Sequence, residues 1–252
     1  MLSLERAIAL MSVVSESEAG LRLKDAAQAL GLSTSTAHRI LSALVEHRML
    51  RLTEGSRAYV PGSELYRLGQ AAVRHYSLVD LAKPSMRLLA ELTQDTVFLS
   101  ARDRDDAVCL DRMIGDYPIR TLTLSIGDRR PLGVGAGSMA IFSALPESER
   151  AVIASGGSDR VQRYPSFTST ALSKWANIAK RCGYAYNPER VIRGMSAVGV
   201  PICGADGLPI GAISVAAICS RIQGERLLEI IGFLQKECAI VAEKAAALKT
   251  RK

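Results

Sequence analysis

The sequence predicts an α+β chain made of two unlike parts. Three observations lead there. Apolar residues recur at helical spacing through the first fifty residues and then close on a short alternating hairpin. Pro61-Gly62 interrupts that pattern. From Thr96 onward, alternating runs of strand length are interleaved with helical segments and antiparallel turn signals. The 252 residues suffice for one large domain or two modest ones, and 48% apolar with 23% charged residues fits a folded globular chain. Aromatics supply only 5%, so the core must be aliphatic.

Each element of the first part has its own signal. Leu4, Ile8, Met11 and Val14 predict an amphipathic helix over 3–15, ended by Glu18-Ala19-Gly20. A second helix at about 24–30 turns Leu23, Ala26, Ala27 and Leu30 inward and Lys24, Asp25 and Gln28 outward. Gly31 ends it, because glycine tolerates the left-handed conformation of a C-terminal cap. Ser33 can N-cap a third helix running to about His47. One face of that helix is apolar (Ala37, Ile40, Leu41, Leu44); the other carries Ser35, His38, Arg39 and Ser42. Leu50–Thr53 and Arg57–Val60 then flank Glu54-Gly55-Ser56 as a hairpin.

Three helices and a hairpin make a winged helix-turn-helix. The polar stripe suits a helix that enters the major groove, with short donors for phosphate and a guanidinium fork that can read guanine. The expected groove residues are Ser35, Thr36, His38 and Arg39. Ser33, Thr34, Arg51 and Arg57 are expected on phosphates, with Tyr59 beside them on the wing. The net charge of +7 permits nucleic-acid binding, but residues 1–77 hold only nine Lys/Arg against seven Asp/Glu, so the order of elements, not charge, carries this expectation.

Ser63 can cap a connecting helix over 63–76, with Leu65, Leu68 and Ala72 on one face. A helix over 78–92 follows, with Pro84 expected to kink or break it. Strands are predicted at 97–102 and 107–113 around Asp103-Arg104-Asp105-Asp106, and at 119–124. Helices are predicted at 138–145, 147–154 and 168–181. Strands at 195–203 and 209–219 join through Gly204-Ala205-Asp206-Gly207, and a final helix covers 223–248. The implied organisation is a DNA-binding domain at 1–62, a linker helix at 63–77 and a second domain at 78–252.

Two features of the second domain suggest a ligand cavity. Pro131-Leu132-Gly133-Val134-Gly135-Ala136-Gly137-Ser138 is a glycine-rich turn opening a helix. It lacks nucleotide-loop spacing and a phosphate-binding lysine, yet its free N–H groups could hold a carboxylate; close backbone packing would explain the glycines equally well. In the paired strands, Ala197, Gly199, Cys203, Ala212, Ser214 and Ala216 share one small-residue parity, opposite Val198, Val200, Ile202, Ile213 and Val215. A face left empty by small side chains must be filled, by a packed helix or by a bound molecule.

Other classes are excluded or disfavoured. No histidine follows His75, so the second domain offers neither Ser-His-Asp nor Cys-His catalysis nor a histidine metal site. No cofactor and no metal are expected. The most apolar stretch, Ile210–Cys219, is too short to span a bilayer, so no membrane partner is expected. The five cysteines lack a C-x-x-C pair and read as buried free thiols in a cytoplasmic protein.

At this point the segments SLERAIALM, LKDAAQALGLSTSTAHRILSALVEHRML, LVDLAKPSMRLLAELT, RRPLGVGAGSMAIFSALP and GVPICGADGLPIGAISVAA resemble, in order and over nearly the full length, the IclR-type bacterial transcriptional regulators. The resemblance implies a GAF-like effector-binding second domain, a homodimer or dimer of dimers on double-stranded operator DNA, and no enzymatic activity. It places effector contacts at Gly135, Ala136, Asn187, Ala197, Ser214 and Ala216. The family's usual Glu near Asn187 appears as Arg190, beside Glu189, and alanine replaces a frequent Cys and a Ser at positions 197 and 216. The pocket is therefore expected to be more apolar than in relatives that take very small acids. The expected effector is a larger organic acid, aromatic acids included, with its carboxylate at the glycine turn.

Overall fold

The computed structural model describes residues 3–73, 77–156 and 163–249. The chain divides into two compact units, Met1–Tyr76 and Ser77–Lys252.

The first unit contains α1 (Ser3–Ser15), α2 (Leu23–Ala29), α3 (Thr34–Glu46), β1 (Leu50–Leu52), β2 (Tyr59–Pro61) and α4 (Ser63–Val73). Residues 74–76 of the expected connecting helix lie outside the described residues. Ser33 caps α3, its Oγ accepting from the Thr36 amide at 3.3 Å. Leu10 and Val14 of α1, Ala26 of α2, Ala37 and Leu41 of α3 and Leu50 of β1 are fully buried together. That core is aliphatic and built from the inward faces the periodicity predicts. Leu65 of α4 packs on it, whereas Tyr66 and Leu68 are exposed.

The second unit is built on six antiparallel strands: β3 (Thr96–Asp103), β4 (Asp106–Met113), β5 (Arg129–Pro131), β6 (Ala185–Pro188), β7 (Met195–Cys203) and β8 (Pro209–Ile218). Their spatial order is β5-β4-β3-β8-β7-β6. Two helices, α5 (Ser77–Thr93) and α9 (Gly224–Lys249), cover one face. Met86 and Leu89 meet Val97, Leu99, Val198, Ile213 and Val215 there, with Ile230, Leu234 and Val241 from α9. The other face takes α6 (Ala136–Ala144), backed by α7 (Glu147–Ser155) and α8 (Ser169–Cys182) through Ile141, Phe142, Leu145, Leu172 and Ala176.

The small-residue face is filled in part by a packed helix and in part left as a cavity. Gly199 and Ser214 are register partners, as are Ala197 and Ala216. At Gly199 the backbone of α6 sits directly on the strand: a Cβ there would lie 2.8 Å from the carbonyl carbon and oxygen of Ala136. Toward Ala197 and Ala216 the helix ends and a cavity begins.

Four expectations need correction. Residues 119–124 form no strand. Two carbonyls of that segment are instead taken by guanidinium groups, Arg112 Nη1 donating to Leu124 O at 2.8 Å and Arg130 Nη2 to Thr123 O at 2.7 Å. The pairing with β4 goes to Arg129–Pro131. Pro84 neither breaks nor ends α5. It lies on the exposed side, so the backbone bond it forfeits opens toward water, while Ala82, Met86 and Leu89 hold the helix from the other side. The short strand β6 escaped notice because four residues ending in Pro188 carry no alternation. Of the five thiols only Cys109 and Cys238 are buried, and Cys182 is exposed at the end of α8.

Three outcomes follow from this packing. Gly199→Ala should force α6 off the sheet and lower stability by about 1–3 kcal/mol in a denaturant titration. Burial pushes the Cys109 thiol up to about 11 and Cys238 up to about 12, from an ordinary 9.0. These folded-state values exceed the unfolded ones, so stability should fall as pH rises from about 9 towards 11–12. At pH 8 an alkylating reagent should label Cys182 well before Cys109 or Cys238 by peptide mass spectrometry.

Candidate functional site

The first unit presents one polar helix face. Ala37, Ile40, Leu41 and Leu44 bury the opposite side of α3, so its period of 3.6 leaves Ser35, His38, Arg39 and Ser42 exposed as one stripe. At the N-terminus of α3, Ser33, Thr34 and Ser35 are exposed. Thr36 is half-buried, its Oγ1 accepting from Ser33 Oγ at 2.8 Å. Arg51 on β1 and Arg57 in the hairpin turn are exposed as well.

Tyr59 is placed differently from the expectation. It is only 5% exposed and belongs to the core of the unit. Its amide donates to Leu21 O at 2.8 Å and its carbonyl accepts from Leu21 at 3.0 Å. This bridge adds Leu21 to the hairpin and turns the ring inward; burial raises its phenol above the ordinary value.

The second unit holds a cavity at the N-terminus of α6. All six expected positions, Gly135, Ala136, Asn187, Ala197, Ser214 and Ala216, line it. The glycine turn is shaped by Gly135, whose φ of +91° no side-chain-bearing residue adopts readily. Ser138 Oγ fastens the turn by accepting from the Gly133 amide and donating to Pro131 O, both at 3.0 Å. First-turn amides of a helix have no intrahelical acceptor, and Ala136 and Gly137 of that turn line the cavity. About 50 Å³ inside is open to the centre of a water molecule, room for a few waters at roughly 10–15 Å³ each. Phe98, Leu124, Ala197 and Ala216 form an apolar floor around Cys109.

Two groups give this cavity polarity. Asn187 is 7% exposed and its Oδ1 receives no hydrogen bond. Arg130, which the sequence reading passed over, brings a guanidinium to the wall; burial lowers its pKa from the ordinary value, partly offset by Tyr164 and Asp128. No local signal marked it, because β5 is too short to show a period; its pairing to β4 turns Arg129 outward to Asp103 and Asp106 and Arg130 to the cavity wall. Arg190 and Glu189 are used elsewhere. The Arg190 guanidinium lies 4.0 Å from the centre of the Trp175 ring, and Glu189 accepts from the Gly194 amide at 2.7 Å.

Comparison with known proteins settles the family. Residues 3–54 match the IclR helix-turn-helix domain, and residues 70–241 match the bacterial transcriptional regulator IclR C-terminal domain. The chain belongs to the IclR family. It is 25% identical to the acetate operon repressor of Salmonella typhimurium over 232 residues, covering 90% of this chain and 84% of that one. It is 28% identical to the regulator BhcR of Paracoccus denitrificans over 232 residues, covering 89% and 80%. Among solved structures, Thermotoga maritima IclR superposes with a TM-score of 0.76 at 20% identity, covering 97% and 98%. An IclR homologue of Microbacterium hydrocarbonoxydans complexed with 4-hydroxybenzoate superposes with a TM-score of 0.80 at 20% identity, covering 98% and 100%. The fold is thus a winged helix-turn-helix followed by a GAF-like α+β domain. The protein is a ligand-responsive transcriptional regulator of a non-enzymatic family. Among the described residues, no helix is long and apolar enough to cross a membrane.

The placement of Tyr59 separates packing from contact. Tyr59→Ala should unfold the helix-turn-helix unit, at a cost of about 3–5 kcal/mol typical of a buried aromatic ring. Tyr59→Phe should leave DNA affinity within about twofold, measured by fluorescence anisotropy.

Proposed function

We propose that residues 1–62 form the operator-reading head, 63–77 a linker helix and 78–252 the effector domain of a regulator that acts in the cytoplasm as a homodimer or dimer of dimers. Ser35, Thr36, His38 and Arg39 enter the major groove, and Ser33, Thr34, Arg51 and Arg57 hold phosphates. An organic acid, aromatic acids included, binds through Gly135, Ala136, Asn187, Ala197, Ser214 and Ala216, with its carboxylate at the N-terminus of α6. The observation that carries this reading is the convergence of those six positions on one cavity at a helix N-terminus. The 4-hydroxybenzoate complex of the Microbacterium homologue supports an acid as ligand.

Control follows from linkage. DNA and effector bind different units, so the effector acts by favouring one placement of two heads on half-sites spaced by about 34 Å or a multiple. A coupling of about 1–3 kcal/mol changes DNA affinity roughly 5- to 150-fold.

The test is fluorescence anisotropy on DNA from upstream of the protein's own gene, against scrambled DNA, over a salt series. Specific binding that weakens steeply with salt is expected. Arg39→Ala should cost about 1–3 kcal/mol on the specific site. Equal binding to both DNAs, with Arg39→Ala indistinguishable from wild type, would count against the head residues named here.

A further inference from the structure

The effector cavity contains one charge and one unanswered polar group. Arg130 is the sole ionisable side chain on its wall among the described residues. Among the described residues no ion pair holds it; Tyr164 hydrogen-bonds it and Asp128 acts on it from outside the cavity wall. Its neighbour Arg129 takes Asp103 and Asp106, and nearby Asp128 accepts from the Ser125 amide at 2.7 Å. Arg130 Nη2 is occupied by Thr123 O. Its Nη1 stands 3.2 Å from where a Cβ on Gly135 would be, beside the first-turn amides of α6. Guanidinium and helix N-terminus thus meet at one spot. The second observation lies across the cavity. Asn187 sits on β6 and Arg130 on β5, the two outer strands of the sheet, and both line the same space. Asn187 is 93% buried, and its Oδ1 has no donor. Phe98, Leu124, Ala197 and Ala216 supply an apolar floor.

We infer that Arg130 is the charge partner of the effector, and that the effector is a hydroxy monocarboxylate: one negative charge for Arg130 and α6, and one hydroxyl for Asn187. A neutral ligand would leave a largely desolvated guanidinium facing the cavity with Asp128, outside the cavity wall, as its opposing charge. A dicarboxylate would bury a second anion with no cation to meet it. A guanidinium also binds a carboxylate through two parallel hydrogen bonds, which fixes orientation as well as charge. The inference rests on the organic-acid reading of the cavity and narrows it.

The experiment is isothermal titration calorimetry of the full chain with matched probes. These are glycolate, lactate and 4-hydroxybenzoate, their amides, their deoxy counterparts acetate, propionate and benzoate, and the dicarboxylates malonate and terephthalate. Wild type should bind at least one hydroxy acid tenfold or more tighter than its amide and than either dicarboxylate. Arg130→Gln should bring acid and amide within threefold of each other, and Arg130→Lys should keep the acid preference. Asn187→Ala should shrink the advantage of the hydroxy acid over its deoxy counterpart to under threefold. Circular dichroism and thermal melting check that each variant is folded. Should Arg130→Gln not fold, a wild type that prefers an amide or a dicarboxylate overturns the inference by itself. Acids that bind wild type and Arg130→Gln equally overturn the role of Arg130 and leave the organic-acid reading standing. An amide that binds where no acid does removes the organic-acid reading and the inference with it. No binding by any probe likewise overturns the hydroxy-acid assignment.

Discussion

The second unit depends on a contact between two backbones. The first turn of α6 rests on β7 at Gly199, closer than any side chain would allow. That approach fixes where the glycine turn stands over the sheet. It sets Ala136 and Gly137 over the small-residue face, and it leaves the space beside Ala197 and Ala216 open. Gly137 sits close as well, since a Cβ there would come within 3.1 Å of Ser214 Oγ, though against a side chain and not backbone. The cavity is thus what remains when a helix is seated as deep as a sheet can take it and the sheet extends further than the helix.

Charge is distributed around this arrangement by strand geometry. Arg129 and Arg130 are adjacent in sequence, yet the period of two sends one outward to carboxylates and the other to the cavity wall. The irregular segment at 119–124 exists for a related reason. Arg112 and Arg130 take its carbonyls, so it closes the cavity without pairing to a neighbouring strand. Arg190 shows the opposite case. It occupies the sequence neighbourhood of an expected effector contact and spends its charge on the Trp175 ring, in a cluster that Phe167 and Tyr164 extend edge to face.

The helix-turn-helix unit follows simpler rules. Its aliphatic core selects the buried face of each helix, and the remaining face of α3 is polar because nothing packs there. The hairpin is less obvious. Tyr59 shares the parity of exposed Arg57, as a wing residue would, but a pair of hydrogen bonds to Leu21 adds a one-residue bridge to the hairpin, and the ring lies in the core. Leu21 carries no strand signal of its own, because one bridging residue has no period.

The sequence by itself determined the helices, the long strands, the two-unit organisation and the glycine turn, because each is written in local periodicity, caps and turn residues. The family resemblance brought Gly135, Ala136, Asn187, Ala197, Ser214 and Ala216 forward as a group. Only the tertiary structure decided that these six share one cavity, that Arg130 joins them and that Tyr59 does not face outward. It also decided that 119–124 is no strand and that Pro84 sits harmlessly in a helix. The physical reason is the same in each case. Which partner a carbonyl, a guanidinium or a ring finds depends on residues distant in sequence, and a local pattern carries no information about them.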